Sequence, residues 1–107
     1  MDIEKRRESA KKIADAARAI GGDHMTACAD MWDWLAENPE KWKDDYPIPE
    51  GRKGMFAWGG YKCPACTMVN GACARCPLAG LWGTRLMACS SNQDSPYKVW
   101  IDSGITI

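Results

Sequence analysis

The stretch CPACTMVNGACARC, residues 63–76, places four cysteines within fourteen positions as two CxxC pairs. A CxxC pair can present both sulfurs to one side of a tetrahedral ion, with zinc–thiolate distances of about 2.3 Å, and a second pair closes the other side. The chain must then reverse between Cys66 and Cys73. The intervening Asn70-Gly71 is the dipeptide favoured in type I′ hairpin turns, where both central residues take positive φ. Pro64 stiffens the first knuckle and Pro77 directly follows the second. Ligand spacing and turn chemistry therefore agree on a closed structural zinc site formed by Cys63, Cys66, Cys73 and Cys76. Its role is to supply folding free energy to a segment poor in aliphatic core.

Other thiol chemistries fit less well. Four thiolates can also hold an iron–sulfur cluster. A redox CxxC belongs at a helix start in a βαβ unit, and no such unit is legible in this chain. Cys89 is either an alternative ligand, a neighbour of the ligands, or a buried thiol. Cys28 lies four residues after the single histidine, His24, on the apolar face of a helical stretch, and reads as a buried cysteine beside a partly exposed imidazole.

At 107 residues, with 46% hydrophobic and 26% charged side chains, the chain fits one small globular domain. Its six tryptophans suit a small core, since each large aromatic ring buries roughly 150–250 Å². The beginning, MDIEKRRESAKK, lacks the apolar region of a secretory signal. No run reaches the roughly 18 apolar residues of a membrane span. The expected setting is the cytosol, without membrane association, where six cysteines point to metal and not to disulfides.

The formal net charge of zero conceals a gradient. Residues 1–50 carry twelve acidic and eight basic side chains, whereas residues 51–93 carry five basic and no acidic ones. A zinc tetrathiolate is doubly negative, which would lower that surplus to about +3. This permits an anionic partner without demanding one.

Residues 2–20 read as an amphipathic helix with Ala10, Ile13, Ala17 and Ile20 on one face and an i,i+4 pair of Glu8 and Lys12. The alanine-rich face favours close approach of another helix. Gly21-Gly22 offers a stop and Asp23 an N-cap for a restart. A second helix over residues 24–37 carries Ala27, Cys28, Met31, Trp34 and Leu35, and Asn38-Pro39 ends it. A helical hairpin is the expected arrangement. Positions 10, 13, 17, 20, 24, 27, 31 and 34 also keep heptad phase across the glycines, so a single kinked helix that forms a homodimer along that seam is the alternative.

Residues 39–62, rich in proline and glycine, are expected to be mostly loop, with a short strand within MFAWGGY. The cysteine module follows over 63–89. In the C-terminal segment 90–107, Ser95-Pro96 supplies an N-cap and a first-turn proline for a short helix. The fold class expected is thus a small α-rich domain with a minor β contribution: an N-terminal helical hairpin, a zinc-stapled knuckle or β-hairpin, and a short C-terminal helix.

No catalytic constellation is legible. The zinc deaminase pattern needs HxE and PCxxC, and the chain contains neither; P-loop, GxSxG and HExxH are also absent. Asp30, Asp33 and Glu37 share a helical face and read as a solvated acidic surface. Arg52, Lys53, Phe56, Trp58, Tyr61 and Lys62 interleave cations with aromatics, the composition that stacks single strands over a positive groove. The competing reading turns Phe56 and Trp58 towards the core.

The succession CxxC, CxxCPL, a later lone cysteine and SPYxxW is similar to a pattern in small uncharacterised proteins encoded by bacteriophages and prophages. It is carried here by Cys63, Cys66, Cys73, Cys76-Pro77-Leu78, Cys89, Ser95-Pro96-Tyr97 and Trp100. The upstream MWDWLAENPEKWKDDYP also resembles segments of that group. The resemblance implies a phage origin, hence the cytosol of a host cell, and a metal-bound cysteine cluster. The expected function is a non-catalytic interaction protein that inhibits or modulates a host protein, such as a defence component. The alternative is a single-stranded nucleic-acid binder.

Overall fold

The structure, a computed structural model, describes residues 1–56, Pro64, Leu78 and residues 95–104. Helix α1 spans Ile3–Ile20, and the Asp2 side chain caps it by accepting from the Lys5 amide at 3.1 Å. One carboxylate thereby satisfies one of the amides that a helix start leaves without an intrahelical acceptor. The helix ends where the Gly21 amide donates to the Ala17 carbonyl, with φ of 80° at Gly21 and 93° at Gly22. Both values lie in the region open chiefly to glycine, and two such residues in succession reverse the chain.

Helix α2, Asp23–Glu37, starts one residue earlier than its hydrophobic pattern suggests. Gly22, and not Asp23, is the N-cap; its carbonyl accepts from Thr26 at 2.8 Å. Asp23 instead occupies the first turn, where its negative charge complements the helix dipole. At the other end both the amide and the side-chain Nδ2 of Asn38 donate to the Trp34 carbonyl at 2.9 Å.

The two helices form a hairpin. Ala10, Ala14 and Ala17 on α1 meet Met25, Ala27, Cys28, Met31 and Leu35 of α2 within a single buried cluster. The methyl-lined face lets α2 approach closely and is itself fully covered. The kinked-helix arrangement is not adopted: Ile20, a seam position, is 39% exposed, while Ala10, Ile13, Ala17, Ala27 and Met31 are covered within the chain. Most of the apolar seam is covered between α1 and α2.

Two short 3-10 helices follow, η1 at Lys43–Asp45 and η2 at Glu50–Phe56. The start of the strand expected within MFAWGGY is corrected here: Met55 and Phe56 end η2, and Phe56 turns into the core. A 3-10 turn drawn from Pro49, whose carbonyl accepts from the Arg52 amide at 2.9 Å, sets this path in place of alternation. The remainder of that expected strand, and the knuckle or β-hairpin, lie outside the described residues.

Helix α3, Pro96–Gly104, has the anticipated start, with buried Ser95 accepting from the Tyr97 amide through Oγ at 3.1 Å. Its end lies against the start of α1, where the Asp2 amide donates to the Ser103 carbonyl at 2.8 Å. No described helix is long and apolar enough to cross a membrane.

Candidate functional site

The proposed metal ligands Cys63, Cys66, Cys73 and Cys76, together with Cys89, lie outside the described residues. Two residues of that region are described. Pro64, within the first CxxC, is fully buried, and Leu78, two residues after the second CxxC, joins the hydrophobic core at 4% exposure. Among the described residues no group of three or more His, Cys, Asp or Glu side chains is placed to hold a metal ion. Cys28 is buried and His24 is half-buried, as the helical pattern suggested.

The six residues considered for nucleic-acid contact do not act as one surface where they are described. Arg52 Nη1 donates to Asp30 Oδ2, Lys53 pairs with Glu50 at 2.9 Å, and Phe56 is buried with its ring 5.7 Å from that of Tyr46. Trp58, Tyr61 and Lys62 are outside the described residues.

The acidic face of α2 serves as a clasp. Asp30 accepts from both Arg18 and Arg52, and Asp33 accepts from Arg18 at 2.7 Å. α1, α2 and η2 are thereby joined at the surface. The hydrogen bond and charge of Asp33, seconded by Asp30, hold the Arg18 guanidinium above its ordinary range. The hydrogen bond to Asp30 does the same for Arg52. Burial, reinforced by Asp30, pushes the Tyr46 phenol up.

A second centre, which the sequence reading missed, is Arg6. This guanidinium is fully buried, donating through Nε to the Trp100 carbonyl at 3.1 Å and through Nη1 to the carbonyls of Pro39 and Lys41 at 2.8 and 3.1 Å. Its Cζ lies 4.1 Å from the Trp42 ring centroid and 3.9 Å from that of Trp100. The negative ring faces attract the cation, while burial lowers its pKa from the ordinary arginine value. Gly104 closes the cage: a Cβ there would fall 2.6 Å from Arg6 Cζ. Trp32 and Tyr97 extend the aromatic cluster, with ring centroids 5.0 and 6.1 Å from Trp100.

Arg6 Nη2 and the indole N–H groups of Trp32 and Trp100 are buried with no acceptor among the described residues. The available sequence signal was positional. Arg6 precedes Ala10, Ile13 and Ala17 at helical spacing, so it stands on the apolar face of α1. A cation there, in a chain with six tryptophans, is a candidate for an aromatic cage.

Comparison with protein-family models, with curated proteins and with solved structures finds no match for this chain.

Proposed function

We propose that the chain is a non-catalytic, zinc-stabilised phage protein that acts by occupying the surface of a host protein, as an inhibitor or modulator of a defence component. The observation that carries the reading is the burial of Pro64, within the first CxxC, and of Leu78, two residues after the second, which ties the chain to the core next to each pair of proposed ligands. A metal bound by Cys63, Cys66, Cys73 and Cys76 would staple the two pairs together beside these anchors, and the donor set suits zinc by charge and softness. When bound, zinc supplies folding free energy at such a site. The helical frame supplies the rest: a caged cation, tight helix packing, and surface clasps that hold a fixed shape for a partner. The phage and host-defence elements rest on the cysteine–CPL–SPYxxW resemblance, an argument by analogy.

Elemental analysis of untagged protein tests the metal. One zinc per chain, whose removal by a chelator lowers the melting temperature, is expected. Metal-free protein with an unchanged melting temperature refutes the staple. Affinity capture from host lysate tests the interaction reading, and retention of no host protein above background removes its basis.

Single-stranded nucleic-acid binding is the rival. Phe56 is committed to the core and Arg52 and Lys53 to ion pairs, which leaves less of the interleaved surface for stacking. Filter binding separates the two readings, since nucleic-acid retention should weaken with salt at a slope of about 0.7 per phosphate contact.

A further inference from the structure

We infer that the trough between α1 and α3 is a docking site for a helix of a partner protein whose contacting face reads acid, base, acid. The inference deepens the interaction reading, but it rests on residues separate from the cysteine module. The trough encloses about 480 Å³. α1 contributes Lys5, Glu8 and Lys12; α3 contributes Lys98, Val99 and Asp102.

Three features select the occupant. First, the expected Glu8–Lys12 ion pair is not formed, and among the described residues Lys5, Glu8 and Lys12 line the trough without a salt-bridge partner, whereas Lys98 is held by Asp102 at 2.9 Å. The unpaired charges along the α1 wall thus run positive, negative, positive. Lys5 and Lys12 stand seven residues apart, about 10 Å along a helix axis. Second, Val99 is 38% exposed at the trough, an apolar surface that a partner's aliphatic side chain would cover. Third, Ser9 is buried and its hydroxyl donates to the Lys5 carbonyl at 2.7 Å, so no unpaired hydroxyl proton competes for the ligand there.

Two roughly antiparallel walls and a slot of mixed polarity suit a helix laid in a groove. The charge order argues against a nucleic-acid strand. A phosphate backbone is uniformly negative and would meet the Glu8 carboxylate with nothing to satisfy it. A peptide helix can oppose Lys5 and Lys12 with carboxylates and Glu8 with an ammonium, and like-charge mismatch rejects the reverse pattern.

The test is an amide-shift titration of the full chain by NMR. The probe is a capped helical peptide whose one face carries Glu, Lys and Glu at the spacing of Lys12, Glu8 and Lys5, flanked by leucines. Shifts centred on Ser9, Val99 and Asp102 are expected. Replacing both Lys5→Glu and Lys12→Glu, at exposed positions, should weaken binding by about tenfold or more. The inference is overturned if millimolar peptide produces no shifts at the trough. It is equally overturned if the charge-reversed peptide binds as well, or if a short oligothymidylate displaces the acidic peptide from these residues. Such failures leave zinc binding and host-protein capture unaffected, so the broader reading stands or falls on its own measurements.

Discussion

Helix α2 carries two aromatic clusters on different sides, and they treat charge in opposite ways. Trp32 leads to Trp100, Tyr97, Trp42 and the caged Arg6. Trp34 leads to Tyr46 and Phe56, close to the Asp30 clasp. Residues two apart on a helix point roughly 200° apart, so the pair Trp32 and Trp34 divides the molecule. In the first cluster a buried cation has, among the described residues, neutral carbonyls and ring faces as partners. In the second, an exposed guanidinium, Arg18, and a half-buried one, Arg52, meet carboxylates at the surface. The lesson concerns leverage. A buried polar group cannot fall back on water when a partner is lost, whereas an exposed ion pair can.

The contrast predicts a ranking of substitutions. Trp100→Ala should be the most damaging, at about 3–5 kcal/mol, because it removes a buried ring and one face of the cage; chemical denaturation measures it. Arg6→Met should cost about 3 kcal/mol, since the carbonyls of Pro39, Lys41 and Trp100 lose their shared donor. An Arg6→Met protein as stable as the parent would mean that the cage is incidental. Gly104→Ala forces a methyl group into the guanidinium and should cost about 1–3 kcal/mol, read as a lowered denaturation midpoint.

On the clasp side, Arg52→Ala should cost less than about 1 kcal/mol. A loss equal to that of Arg6→Met would erase the distinction between the two regions. The smallest effect concerns pH. The folded Tyr46 phenol titrates above its unfolded value, so above about pH 10 the unfolded chain gives up this proton first. The unfolded state then binds fewer protons, and stability falls as pH rises. Tyr46→Phe should flatten that alkaline slope in a series of melting curves.

The legible parts of the fold were those governed by neighbours in sequence. The Gly21-Gly22 reversal, the Asn38-Pro39 stop and the Ser95-Pro96 start are local backbone chemistry, and each stands close to where residue type and spacing indicate. The start of the expected strand, at Met55 and Phe56, gives way to the end of η2 for a complementary reason: Phe56 follows its packing against Tyr46, a tertiary preference that outweighs a short β-like composition. In the same way, Glu8 and Lys12 have the right spacing for a pair, yet both line the trough with α3. The proposed ligands Cys63, Cys66, Cys73 and Cys76 rest on sequence spacing and await metal analysis.

Residue order alone therefore determines the two leading helices, where each of them stops and the dense thiol pattern, because propensity, φ preference and ligand spacing act over a few positions. Tertiary structure alone decides that Arg6 is interior. The carbonyls that receive its protons lie between 33 and 94 positions away, and a cation is stable inside only when distant chain segments arrive together to replace its water.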